Sequence, residues 1–224
     1  MIDKIKQFET ERDDRIKKNG KDEKLKLLAD KWVEESMMKN YVYNFSWLGR
    51  PIIQCPQDIL ALQEIIWDVK PDIIIETGIA HGGSLIFSAT MLTLLEISGK
   101  ITNGQVLGID IDIREHNKKA INTHPMSKKI TMFQGSSLDK NIIKKVYDFA
   151  NKGKKILVCL DSNHTHEHVL NELKVYAPLV SVGSYCVVFD TIVEDMPKGS
   201  FSNRPWDKGN NPKTALKEYL KTHP

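Results

Sequence analysis

The sequence predicts an open α/β fold, with a mainly parallel central sheet flanked by helices and preceded by an N-terminal helical extension. Three observations carry that expectation. Five short apolar runs, beginning with "DIIIETG" and ending with "SYCVVFDT", alternate with longer stretches of helical spacing, the pattern of parallel strands joined by right-handed crossovers. The first run passes at once into "GIAHGGS", a strand-to-turn passage with three glycines in six positions. The first forty residues lack such runs and are rich in Lys, Glu and Asp.

The elements follow in order. Ile2, Ile5 and Phe8, and then Leu25, Leu27, Leu28, Trp32 and Val33, recur at mostly helical spacings and imply two helices. They read as a solvated extension over residues 1–45, with an oligomer contact or a lid as alternatives. The α/β domain then occupies 46–224. It opens on a loop containing Pro51 and Pro56, followed by a helix beginning near Asp58, which can cap it. After the first strand come a helix at about 83–97, strand "VLGIDID", a helix at 114–122, strand "ITMFQGS", a helix at 139–151, strand "KILVCLDS", a helix at 166–177 and strand "SYCVVFDT". Residues 193–213, with Pro197, Pro205 and Pro212, read as a long loop, and "PKTALKEYLK" as a last helix opening on Pro212 at the sheet edge.

Composition narrows the function classes. The 224 residues are 41% hydrophobic and 27% charged, which suits one globular domain with an elaboration. A net charge of +3 without an arginine-rich stripe gives no support for nucleic-acid binding. No apolar run is long enough to cross a bilayer, and the N-terminus has no apolar leader core. Three widely spaced cysteines, Cys55, Cys159 and Cys186, suit reduced core residues, so a cytoplasmic protein is expected.

Ligands of open parallel sheets bind outside the carboxyl ends of the strands. All five runs end there in polar or small residues: Glu76, Thr77 and Gly78; Asp110 and Asp112; Gly135, Ser136 and Ser137; Asp161, Ser162, Asn163 and His164; Asp190 and Thr191. A carboxylate at the tip of the second strand, Asp110, can accept from two ribose hydroxyls, a feature that NAD and S-adenosylmethionine sites share. The first turn separates the two. It lacks the GxGxxG that admits a pyrophosphate, and the acid Glu76 would repel phosphate but suit a cofactor bearing an amino group and a sulfonium.

The segments "WLGRPIIQCPQD" (Trp47 to Asp58), "KPDIIIETGIAHGGS", "GIDID", "LDSNHTHEHVLNEL" and "FDT" occur in an order that resembles the cephalosporin hydroxylase family over about residues 40–220. That family groups Rossmann-like class I S-adenosylmethionine-dependent methyltransferases related to macrolide-sugar O-methyltransferases. The resemblance implies methyl transfer to a hydroxyl of a sugar or glycosylated small molecule, assisted by magnesium. It implies that Glu76, Thr77, Gly78, Gly82, Gly83 and Ser84 line the amino-acid end of the cofactor, that Asp110 holds the ribose, and that Ser136 and Ser137 sit near the adenine. Asp161, which counts among the catalytic and cofactor residues as well, and Asp190 would bind the metal, and His164 would be the general base. One departure stands out: Phe189 replaces an expected acid, for which water, Glu194 or Asp195 can substitute in an octahedral oxygen site.

Two other classes compete. "HTHEH" suggests a metal-dependent hydrolase, although on a helix beginning near Thr165 the side chains of His166 and His168 point about 200° apart; His164 and His168 can share a face, and otherwise His166 and His168 are exposed helix residues. Phe189 favours a non-catalytic cofactor binder. For the acceptor, Trp47, Tyr41, Tyr43, Trp206 and His81 are candidate pocket residues, with Gln54 reaching the site, and the charged N-terminal helices can support a homo-oligomer.

Overall fold

The computed structural model describes residues 3–223, and contacts divide the chain between Tyr41 and Val42. The first unit holds α1 (Lys4–Asn19) and α2 (Glu23–Met38). Asp3 caps α1 by accepting from the Ile5 and Lys6 N–H groups, and Asp22 caps α2 by accepting from Leu25. Neither helix buries a residue, and Ile5, Phe8, Leu27 and Leu28 are exposed. Ile2, which the spacing assigns to the first helix, lies outside the described residues.

The second unit begins with a hairpin where the sequence predicts a loop. β1 (Ser46–Trp47) and β2 (Arg50–Pro51) form an antiparallel hairpin turned by Leu48 (φ 45°) and Gly49 (φ 84°). Two-residue strands are too short to show a period-2 pattern. Next comes α3 (Pro56–Val69), whose cap is Cys55, not Asp58. Pro56 takes the first helical position, where its fixed φ is favourable and its missing N–H is not needed, so Asp58 falls inside the first turn.

The remaining elements are β3 (Ile73–Thr77), α4 (Gly83–Ile97), β4 (Gln105–Asp110), α5 (Glu115–Asn122), β5 (Ile130–Gln134), α6 (Lys140–Ala150), β6 (Ile156–Leu160), α7 (His166–Tyr176), β7 (Cys186–Val188) and α8 (Pro212–Tyr219). The five strands β3–β7 form one all-parallel sheet in the order β5-β4-β3-β6-β7. The ladder keeps Glu76, Thr77, Asp110 and Gln134 at the strand ends, whereas Asp161 and Asp190 lie just beyond β6 and β7.

Alternation along the strands feeds two apolar layers. Ile74, Val106, Leu157 and Cys159 pack with Leu62 and Ile66 of α3, Leu85 and Leu92 of α4, and Ile121 of α5. Ile73, Ile75, Leu107 and Val158 pack with Val146 of α6, Leu173 and Tyr176 of α7, and Ala215 of α8. Each buried Val, Leu or Ile contributes about 1.5–3 kcal/mol. The expected loop at 193–213 contains a 3-10 turn at its start, Thr191–Glu194, and α8 packs on α7.

This strand order has a consequence for ligand binding. The chain leaves β3 toward one face and β6 toward the other, so a crevice opens between their carboxyl ends, the topological switch point.

Candidate active site

At that crevice β3 ends in Glu76, which is 2% exposed, and Thr77, whose carbonyl accepts the Asp161 N–H at 2.9 Å. Gly78 follows at φ +92°, and a Cβ there would collide with the Asp161 carbonyl, so only glycine lets the two strand ends approach so closely. The turn closes at Gly82 (φ +81°), the N-cap of α4. Ile52 to Gln54, Gly78 to Ser84 and Asp161 line a small cleft open to solvent. Glu76 faces little water, so desolvation pushes its carboxyl up to about 7, against the opposing pull of the hydrogen bond it accepts from the Ser84 hydroxyl.

The backbone of this turn is held from three sides. Asp110 accepts the N–H groups of Ile79 (2.8 Å) and Ala80 (3.2 Å) through Oδ2, and that of Asp112 (3.0 Å) through Oδ1. Oδ2 is thereby filled, while Oδ1 retains acceptor capacity for a further donor. Asn117, 3% exposed on α5, donates to the Ala80 carbonyl at 2.9 Å. Arg50 of the hairpin donates twice to the His81 carbonyl, at 3.0 and 2.6 Å, and once to Asn117 Oδ1 at 2.8 Å. Ala80 itself sits at φ +45°, a conformation that must be held by its surroundings. Sequence reading missed Arg50 and Asn117, because partners 31 and 67 residues apart leave no local pattern. Arg50→Ala removes the donors to a part-buried carbonyl at a cost of about 1–3 kcal/mol. Hydrogen exchange at residues 79–83 should speed up in that variant, with residues of β6 unaffected.

Across the crevice, Asp161, His164 and Asp190 place ligand atoms within 4.8 Å of one another. His164 Nδ1 lies 3.1 Å from Asp190 Oδ2, and its ring meets Trp206 edge-on at 4.6 Å. Asp190 adopts φ +53°, the left-handed region that Asp tolerates better than most residues. The carboxyl of Asp161 is held well above the ordinary carboxylate range, by desolvation first, then by the charges of Asp190 and Glu76 and a hydrogen bond with Asp190; a hydrogen bond from Gln54 opposes this. The buried Gln54 therefore does reach the site, and its Oε1 has no partner. Asp58, on the first turn of α3, is pushed up by desolvation and then by Asp190.

Other expected residues are placed differently. The three histidines of HTHEH do not converge: His164 meets Asp190, His166 meets Thr214 (2.9 Å) and Glu218 (3.2 Å), and His168 meets Ser137, Ser162 and Glu172. A zinc site built from them is excluded. His166 and His168 are also not exposed, because α8 and the loop after β5 cover them. Ser136 Oγ accepts the Leu138 N–H, while Ser137 is buried against His168. Glu194 accepts from Gly209 and Asn211, and Asp195 pairs with Lys213, so neither replaces the acid absent at Phe189, which packs into the apolar layer. Trp47 stacks edge-on with Phe87, Tyr41 meets Trp32, and Tyr43 is exposed; of the candidate aromatics, Trp206 alone meets His164, and His81 lines the cavity. All three cysteines are free. Among the described residues no helix is long and apolar enough to cross a membrane.

Known proteins resemble this chain. The model of the family Rhamnosyl O-methyltransferase/CmcI matches residues 39–224. A rhamnosyl O-methyltransferase of Mycobacterium bovis (strain BCG / Pasteur 1173P2) is 30% identical over 172 residues, covering 74% of this chain and 66% of that protein. The chain thus spans just under two thirds of the length of this curated relative. Two solved structures share the fold. The apo structure of CmcI-N160 aligns with a TM-score of 0.51 at 21% identity over 80% of this chain and 66% of that one. CalS11, a TDP-rhamnose 3'-O-methyltransferase of calicheamicin biosynthesis, aligns at 0.52 and 14% identity over 73% and 70%. The resemblance read from the motifs and the Rossmann-like class I fold are therefore correct, and the chain belongs to the Rhamnosyl O-methyltransferase/CmcI family.

Proposed function

We propose that this protein is an S-adenosylmethionine-dependent O-methyltransferase acting on a hydroxyl of a sugar or glycosylated small molecule. One observation carries the reading: Asp161 lines the same cavity as the glycine turn after β3 and is clustered with His164 and Asp190. Relatives named for rhamnosyl and TDP-rhamnose methylation support the sugar acceptor. The domain reading, with residues 1–45 as an extension outside the catalytic unit, belongs to the same proposal.

When bound, S-adenosylmethionine supplies a methyl carbon on a sulfonium, which departs as a neutral thioether. Glu76 and the turn Gly78–Ser84 would hold its amino-acid end, Asp110 its ribose, and the loop bearing Ser136 and Ser137 its adenine. His164 would take the acceptor proton: Asp190 engages Nδ1 and orients the ring, and Nε2 forms no hydrogen bond among the described residues. Trp206 shields that ring on one side.

The residues present also fit a hard divalent cation. Two acids, Asp161 and Asp190, lie close enough that burial and then the Asp190 charge push the Asp161 carboxyl well above its ordinary range, a cost that a cation would relieve, and Gln54, which donates to Asp161, has a buried Oε1 without a partner. Asp161 and Asp190 would hold magnesium, which would lower the pKa of an acceptor hydroxyl.

Incubating the protein with methyl-labelled S-adenosylmethionine, magnesium and a panel of rhamnosides should place label on a sugar oxygen, with one S-adenosylhomocysteine formed per methyl moved. Cofactor binding with no transfer to any acceptor would favour the non-catalytic binder that Phe189 suggests. Absence of cofactor binding would end the proposal.

Glu76 supplies a pH signature. Its raised pKa means that the free protein holds a proton there up to about pH 7, so affinity for the cofactor's amino group should rise from pH 6 to pH 8 and level off above. Folding moves oppositely. Between the ordinary value of 4.5 and about 7 the folded state binds the extra proton, so stability falls as pH rises through that window, by about 3 kcal/mol in total. Glu76→Gln should flatten both profiles, as calorimetric titration and denaturant melts across pH would report.

A further inference from the structure

Behind the crevice, on α7, lies a carboxylate that the proposed chemistry does not use. Glu172 is 0% exposed, and among the described residues its one ion-pair partner is His168, one helical turn earlier, whose Nε2 lies 3.3 Å from Oε1. The same Oε1 accepts the Ser162 hydroxyl at 2.7 Å, and Oε2 has no partner. His168 Nε2 is also 3.2 Å from both Ser162 Oγ and Ser137 Oγ. Because Nε2 faces a carboxylate oxygen, it carries the ring proton, and that N–H is shared among the three oxygens. Tyr176, one turn beyond Glu172, donates to the Ser137 carbonyl at 2.5 Å.

The two serines belong to different loops. Ser137 lies in the loop after β5, and Ser162 follows Asp161 directly and precedes His164 by two residues. A buried carboxyl–imidazole contact is weak ground for stability, since desolvation offsets most of its attraction. What it supplies instead is geometry, because its hydrogen-bond directions are satisfied at one spacing of the two loops.

We propose that the buried Glu172–His168 pair is a positioning device: from one face of α7 it sets the distance between the Ser136–Ser137 loop and the Asp161–His164 loop, and with it the alignment of the methyl donor against His164. The inference rests on the methyltransferase reading. Glu172 and His168 touch neither donor nor acceptor; they act through Ser137 and Ser162.

Calorimetric titration with S-adenosylhomocysteine tests the pair without needing an acceptor. Glu172→Ala, which leaves His168 and Ser162 without their acceptor, should bind at least tenfold more weakly than the unaltered protein. Glu172→Gln, which keeps an oxygen for Ser162, should stay within threefold. Val146→Ala, a core truncation on α6, which carries neither serine, should lower the melting temperature and leave affinity unchanged. If Glu172→Ala fails to fold, Ser162→Ala cuts the β6 arm alone and should itself weaken binding severalfold. Unchanged affinity in the folded Glu172→Ala or in its Ser162→Ala substitute, equal loss in Glu172→Gln, or equal loss in Val146→Ala would overturn the positioning role. Failure of the unaltered protein to bind would instead overturn the methyltransferase reading.

Discussion

His164→Ala should lower the rate of methyl transfer by about 10²–10⁴, the range that a positioned general base contributes, while S-adenosylmethionine affinity stays within about twofold. The separation of these effects follows from geometry. His164 contacts Asp190 and Trp206, whereas the turn after β3, proposed to hold the cofactor, is held by Asp110, Asn117 and Arg50. Single-turnover transfer at saturating cofactor, beside calorimetric affinity, checks both halves. Asp190→Asn should fall between the unaltered protein and His164→Ala, since the ring keeps a partner but loses the charge that stabilises its protonated form. Full turnover in His164→Ala would remove this residue from the chemistry.

Gly78→Ala should be the most damaging single-methyl change in the chain. The new Cβ meets the Asp161 carbonyl carbon and oxygen, which are backbone and cannot rotate away, and the residue must also keep φ +92°. Backbone strain of about 1–3 kcal/mol adds to overpacking of about 1–3 kcal/mol, giving a loss of about 2–6 kcal/mol. For a domain of this size the melting temperature should fall by roughly 4–24 °C. Any protein that remains folded should bind cofactor poorly, because the ends of β3 and β6 must separate. Gly99→Ala is the control: it also has positive φ, +70°, but nothing lies within 4 Å, so the expected loss is about 1–2 kcal/mol with cofactor binding intact. Equal damage in the two variants, by thermal melting and titration, would show that the approach of Gly78 to Asp161 is unimportant.

The contrast between those two glycines shows which parts of the fold were legible. Ile73 to Ile75 announce a strand buried on both faces, and the structure buries all three. The rim residues Glu76, Asp161 and Asp190 were legible for the same reason, since a polar residue ending an apolar run lies at a strand's carboxyl end. The hairpin at Ser46–Pro51 was not, because two-residue strands carry no periodicity. Nor were the destinations of the HTHEH histidines: spacing on a helix tells which side chains diverge, but that His166 would find Thr214 and His168 would find Glu172 depends on where α8 and the loop after β5 pack.

Sequence alone determined the alternation of the five parallel strands with their helices, the chemistry available at the rim and the family. Tertiary structure decided which rim residues meet: β3 and β6, 83 residues apart, become neighbours, so Glu76 shares one crevice with Asp161 while Glu194 and Asp195 are taken by other partners. The physical reason is that periodicity and turn chemistry are properties of adjacent residues. Distances between loops arise only when two faces of one sheet are covered from opposite sides and the chain parts at the switch point.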